Sequence, residues 1–190
     1  MPVARPQIRF TYEDYKSLPE SMDKRYELLD GELVMVPAPT TRHQMVSRNL
    51  EYILHGHVRA HRLGTVLYAP VDLVFGSGNQ REVLQPDILF VSQARRAIVK
   101  LEEVQGAPDL VVEILSPATA VRDRGYKKAL YGRHGVREYW IVDPETETVQ
   151  IHLFDDAAAP RVSVVAAPIP LHTDLLPGLA VDLAEVFYLE

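Results

Sequence analysis

Hydrophobic positions along the chain repeat with two periods, and the places where the period changes mark the elements. Thr11-Tyr-Glu-Asp-Tyr reads as a helix start, with Thr11 capping free backbone N–H groups and acids in the first turn. Arg25 to Val36, RYELLDGELVMV, reads as a hairpin whose Asp30-Gly31 supplies the tight turn. Thr40 and Thr41 open a long helix to about His61, with Val46, Leu50, Ile53, Leu54 and His57 on one stripe and Gly64 as the expected stop. Thr65 to Phe75 reads as a strand, Gly76-Ser-Gly-Asn as a turn, and Val83 to Val91, VLQPDILFV, as the next strand. A charged, helical connection is expected from Ser92 to Gln105. Asp109 to Leu115, DLVVEIL, is almost continuously apolar, as a strand buried on both faces is. Ser116-Pro117 breaks it, a helix follows from about Thr119 to His134 and stops at Gly135, and REYWIVD (Arg137 to Asp143) is a further buried strand. Thr148 to Phe154 and Arg161 to Ala167 form a C-terminal hairpin around an Asp155–Pro160 loop, and a short helix is expected near Leu183 to Phe187. The order predicts an α/β fold of a single domain, 1–190, with its core at about 25–155 and a C-terminal extension at about 156–190. Strands near 66–75, 84–91, 109–115 and 138–143 are expected in one mixed sheet flanked by the two long helices.

Composition narrows the chemistry. The chain has 190 residues, 47% of them hydrophobic, and no cysteine. Disulfides, thiolate metal sites and cysteine nucleophiles are therefore excluded, and the chain suits a reducing cytoplasm. Met1 to Phe10 has no apolar run of the kind a secretory leader needs. The net charge is −6, yet two stretches are basic. Arg122 to Arg137 has six basic residues against Asp123 alone. Arg42 to Arg62 has four arginines against Glu51 alone, with four of the seven histidines. Arg42, Arg122, Arg124 and Lys128 are the candidate nucleic-acid contacts; two solvated helix faces are the plainer alternative.

Asp87 and Glu113 each sit within an otherwise apolar strand. A buried carboxylate is costly unless paired or bound to metal, so two on successive strands suggest a shared partner. Mg²⁺ or Mn²⁺ fits, since a hard cation takes oxygen ligands and only one or two protein carboxylates. Pairing of each acid with an arginine is the structural alternative. With Tyr126, Ala129, Leu130 and Arg133 set as the inward stripe of the second long helix, Lys127 falls on its flank and Lys128 points to water. Asp123, Lys127 and His134 share one edge, and an Asp123–Lys127 ion pair is expected there.

At these residues the chain resembles a known pattern. Gln85-Pro86-Asp87 followed by Glu113-Ile114-Leu115 is similar to the PD-(D/E)XK nucleases, and more closely to the Uma2 family of restriction-endonuclease-like proteins. The matching segments begin with Tyr26-Glu-Leu-Leu-Asp-Gly-Glu, Arg42-His-Gln and Gln85-Pro-Asp-Ile-Leu-Phe-Val. They continue with Ala107-Pro-Asp-Leu-Val-Val-Glu-Ile-Leu-Ser-Pro, Asp123-Arg-Gly-Tyr-Lys and Glu138-Tyr-Trp-Ile-Val-Asp-Pro. The resemblance implies a restriction-endonuclease-like core with Asp87 and Glu113 as metal-binding acids and Glu27 as a third acid. It departs from the wider pattern at Leu115, where a lysine is usual; the resemblance places that lysine at Lys127.

Other residues carry weaker signals. His43 opens the basic helix as a candidate phosphate or metal contact, with a plain N-terminal helix residue as the alternative. Asp72 is a rival to Asp87, Asp143 a strand-ending cap, and Glu32 structural. His55, His57 and His61 lack a third zinc ligand. Trp140 and Tyr139 read as core, and Tyr131 as core or packed against the site. The expected function is metal-dependent endonucleolytic hydrolysis of nucleic acid, most simply double-stranded DNA cut by a homodimer. A non-catalytic nucleic-acid-binding or scaffold protein is the alternative, followed by a two-carboxylate glycosidase.

Overall fold

The computed structural model of the chain describes residues 8–19, 24–154 and 161–190. The expected loop Asp155–Pro160 lies outside the described residues, as do the first seven positions read for a leader. Helix α1 (Tyr12–Lys16) is closed by a reciprocal Thr11–Asp14 capping box. Strands β1 (Arg25–Leu29) and β2 (Glu32–Val36) pair antiparallel around Asp30 and Gly31, whose φ values are +46° and +76°. Helix α2 (Thr41–His61) is capped by Thr40, whose hydroxyl accepts from the His43 N–H. It stops at Arg62, which takes the left-handed conformation with φ +53°, and not at Gly64. Gly64 instead permits a close approach between strands, since a Cβ there would collide with the Val91 carbonyl.

The expectation of one sheet is overturned. Each of the two long strands breaks at a proline and its halves enter different sheets. Residues 65–75 become β3 (Gly64–Tyr68) and β4 (Asp72–Phe75), parted at Pro70. Residues 83–91 become β5 (Glu82–Leu84) and β6 (Ile88–Ser92), parted at Pro86. The two breaks lie side by side, with the Ala69 N–H donating to the Asp87 carbonyl at 3.0 Å. The expected helical connection is a short 3₁₀ helix (Gln93–Ile98) followed by strand β7 (Glu103–Gln105), which pairs parallel with β4.

The remaining strands are β8 (Leu110–Ile114), β9 (Glu138–Asp143), β10 (Thr148–Leu153) and β11 (Arg161–Ala166). One sheet runs β2-β1-β5-β4-β7 and the other β11-β10-β9-β8-β6-β3. Between β8 and β9 the chain forms α3 (Ala120–Arg122), a π-helical turn (Asp123–Lys127) and α4 (Lys128–His134) without interruption. The expected inward stripe is wrong. Tyr126, Ala129 and Arg133 are exposed, while Asp123, Lys127, Leu130 and Tyr131 face inwards. Among the described residues no helix is long and apolar enough to cross a membrane.

Side-chain alternation sorts the six-stranded sheet into two cores. On one face Leu110, Val112 and Ile114 pack with Val46, Leu50, Leu54 and Val58 of α2. The same core takes in Leu171, Leu176, Leu179 and Val181, together with Leu183 and Val186 of α5 (Leu183–Val186), so the last stretch is built into the fold. On the other face Val111 packs with Leu130, Tyr131, Tyr139 and the first sheet's Leu73 and Leu84.

Away from this second core, Glu138 is buried and accepts from Trp140 Nε1 at 3.0 Å and Thr173 Oγ1 at 2.7 Å. Burial pushes its carboxyl above the usual range, more strongly than these bonds pull it down. A raised folded-state value means a contribution to stability that is complete below the unfolded value of about 4.3 and is lost as pH rises through the folded value. Glu138→Gln keeps both contacts if the hydroxyl of Thr173 turns to accept. Its stability relative to the wild type is therefore expected to grow from pH 4 to pH 7, measured by urea unfolding at each pH. A difference independent of pH would contradict this account.

Candidate active site

The proline breaks place Asp87 at the seam of the two sheets. Antiparallel β6 and β8 pair Ile88 with Val112, and one further step in that register puts Asp87 opposite Glu113. Alternation then sends both side chains to the α4 side, because their neighbours Ile88, Val112 and Ile114 pack on the α2 side. Asp87 Oδ2 accepts from the Ile114 N–H at 2.7 Å and lies 3.2 Å from His43 Nε2 on the first turn of α2. Burial disfavours the imidazolium of His43, but Asp87 outweighs it and the imidazole is held above its ordinary range.

Glu113 is buried on β8 and meets the helix that follows. Its Oε1 accepts from Lys127 Nζ at 2.9 Å and from the Tyr131 hydroxyl at 2.6 Å. The same ammonium lies 2.8 Å from Glu27 Oε1 and 3.6 Å from Asp123 Oδ1. Glu27, on β1, also accepts from the Gln85 N–H at 3.0 Å and faces Arg122 at 3.5 Å. Three carboxylates thus surround one ammonium. Burial alone would neutralise Lys127, yet Glu113, Glu27 and Asp123 overcome it and keep the lysine protonated. The acids are left in excess. Burial and the neighbouring carboxylates push Glu113 well above the usual range against the pull of Lys127, and burial raises Asp123 likewise.

Apart from Tyr131, these groups line one cavity of about 230 Å³. Among the described residues, three buried polar atoms have no hydrogen-bond partner: His43 Nδ1, Gln85 Oε1 and Asp123 Oδ1. All three residues line this cavity. No three His, Asp or Glu side chains among the described residues form a preformed metal cage. A magnesium-like ion does not need one, since it keeps several waters and takes one or two carboxylates. The donor set fits that requirement. Asp87 Oδ2 and Glu113 Oε1 are engaged, while no hydrogen bond to Asp87 Oδ1 or Glu113 Oε2 is present among the described residues.

The other expected residues are placed as follows. Arg42 pairs with Glu145 at 3.2 Å and reaches the Pro144 carbonyl, and Arg124 pairs with Asp143 at 2.9 Å. Arg122 faces Glu27 inside the cavity, and Lys128 is half-buried. Asp72 accepts from Tyr15 and from Gln85 Nε2, both at 2.9 Å, and does not line the cavity. Asp143 accepts from the Glu145 and Thr146 N–H groups, as a strand-ending cap does. The His57 and His61 rings lie tilted against each other, with centroids 4.2 Å apart. Sequence reasoning passed over Arg25 and Gln85. Both line the cavity, Arg25 two positions before Glu27 on the same strand face and Gln85 two before Asp87. A period of two from the chosen acids was the signal that pointed to them.

Removing Lys127 leaves Glu27, Glu113 and Asp123 buried without their shared counter-charge. Lys127→Met is expected to destabilise the fold by about 3–5 kcal/mol at pH 7.5. The loss should shrink toward pH 5.5, because carboxyls that burial has raised take up protons earlier as pH falls. Urea unfolding at the two pH values checks this; a loss below about 1 kcal/mol at both would show the ammonium to be dispensable.

Comparison with known proteins agrees with this architecture. A solved structure from Anabaena variabilis, titled a putative nuclease belonging to DUF820, superposes with a TM-score of 0.76 at 20% identity, over 93% of this chain and 97% of that one. An uncharacterized protein of Synechocystis sp. is 26% identical over 149 residues, which is 78% of this chain and 75% of that protein. The family Uma2, described as "Putative restriction endonuclease", matches residues 12–184, so the chain belongs to the Uma2 family.

Proposed function

We propose that this protein is a nuclease that hydrolyses the phosphodiester bonds of nucleic acid, DNA foremost, with Mg²⁺ or Mn²⁺ held between Asp87 and Glu113. The observation that carries this reading is the juxtaposition of two facing carboxylates, each with one oxygen open, beside a buried and protonated Lys127 in a single cavity. Family membership and the likeness in fold to the Anabaena protein, titled a putative nuclease, support the reaction class. The bound cation would acidify a water and neutralise charge on the phosphate.

The chain's own residues divide the remaining work. His43 and the Ile114 N–H fix the orientation of Asp87 by engaging one of its oxygens. Tyr131 fixes Glu113 in the same way. The Ile114 carbonyl is a further candidate ligand. Lys127, kept charged by Glu27, Glu113 and Asp123, orients the nucleophile or offsets charge that develops on the phosphoryl oxygens; a lysine held this firmly protonated does not act as a base. Two such sites in a symmetric dimer would cut both strands of a duplex.

The test is plasmid nicking with Mg²⁺ or Mn²⁺. Cleavage is expected in the wild type, abolished by EDTA, and absent in Asp87→Ala and Glu113→Ala, with folding verified by circular dichroism. Calorimetric titration with Mn²⁺ alone should show uptake by the wild type and none by the two variants. In EDTA the variants should bind DNA as well as the wild type or more tightly, because each loses a negative charge facing a polyanion. If the wild type at high excess leaves DNA and RNA intact, a binding protein replaces the nuclease.

A further inference from the structure

Helix α2 carries a second feature on the face turned away from the core. At 100° per residue Gln44, Arg48, Tyr52, His55 and Arg59 fall within an arc of about 80° centred opposite the buried stripe, and all are exposed. Arg62 continues the line just past the helix end. The arc contains no acid. Glu51 lies at its border toward the cavity, half-buried, and Glu185 and Glu190 belong to the segment packed near Asn49 on the other flank. Among the described residues Arg48, Arg59 and Arg62 have no carboxylate partner, whereas Arg42, Arg122 and Arg124 are each ion-paired. Arg48 reaches only the neighbouring Asn49 amide.

The stripe is continuous with the active site. Gln44, Ser47 and Arg48 line the cavity, together with Tyr68, which is 56% exposed at its rim. At the far end His55, Arg59, Arg62 and Gln93 line a second depression. Between the two stands Tyr52, 82% exposed. Complementing the helix dipole accounts for Arg59 at the C-terminus, but not for Arg48 in the middle or for a bare tyrosine between them.

Building on the nuclease reading, we infer that the outward face of α2 is a track for an unpaired nucleic-acid strand leaving the cavity. The three arginines hold phosphates and Tyr52 stacks on a base. Arg48 to Arg59 spans about 16 Å along the helix axis, comparable to four or five nucleotide steps of a stacked strand. Free guanidiniums with an interposed exposed aromatic are what binding of unpaired strands requires: charge for the backbone and a π-face that accepts any base.

The experiment measures fluorescence anisotropy of labelled single-stranded DNA and of its duplex, in EDTA so that binding is read without cleavage. Arg48→Ala/Arg59→Ala/Arg62→Ala should lower the slope of log affinity against log salt for the single strand by about 2. Tyr52→Ala should weaken single-strand binding by about 5- to 100-fold, leave the salt slope unchanged and affect the duplex much less. Arg9→Ala/Arg133→Ala, outside the stripe, should do neither. Equal losses in the stripe and control variants, or an equal effect of Tyr52→Ala on single strand and duplex, would overturn the track. The two readings fail separately. Stripe-dependent binding without cleavage in Mn²⁺ sinks the nuclease and keeps the track, while cleavage with stripe variants that bind as the wild type does the reverse.

Discussion

The ammonium of Lys127 is the interaction on which the architecture of the site depends. It lies out of water and is charged only because Glu27, Glu113 and Asp123 converge on it. Those acids come from three places: the first sheet, the second sheet and the helix that carries the lysine. One ion cluster therefore ties the two sheets to α4 and fixes the wall of the cavity. Buried charge of this kind contributes little net stability against an apolar alternative, since desolvation offsets the attraction.

Much of this was legible in the chain. Asp87 and Glu113 stood out because each interrupts an apolar strand, and Lys127 because helical spacing set it apart from Lys128. Register then explains why the two acids meet: antiparallel pairing of β6 and β8 is a one-dimensional constraint that alternation can read. The division into two sheets was not read, although Pro70 and Pro86 were visible. A strand propensity does not say whether the chain continues its sheet after a proline or crosses to another. The neighbouring breaks are joined by a hydrogen bond between Ala69 and Asp87, a long-range contact that no local window contains. The helix phase was misread for a different reason. Tyr126, Ala129 and Arg133 were set inward with Leu130, whereas Asp123, Lys127, Leu130 and Tyr131, spaced i, i+4, i+7 and i+8, share the buried face.

The site combines fixed and open elements. One oxygen of each facing carboxylate is locked, Asp87 by a backbone amide and Glu113 by Tyr131, while the other is left free. A pair held this way needs little rearrangement to accept a cation, so the ordering cost is met when the chain folds. The seam between the sheets makes this possible. The break at Pro86 sets Asp87 where the two sheets part, and its side chain faces the cavity there.

The packing of α2 has a consequence for the order in which the protein can be assembled during synthesis. Its inner face rests partly on Leu171, Leu176, Val181 and Leu183, and Asn49 donates to the carbonyls of Glu185, Val186 and Tyr188. These residues leave the ribosome more than a hundred positions after the helix they cover. Until they arrive, Val46, Leu50 and Leu54 lack part of their cover. The helix that presents His43 to Asp87 thus gains its full cover only when the last stretch of chain has been made.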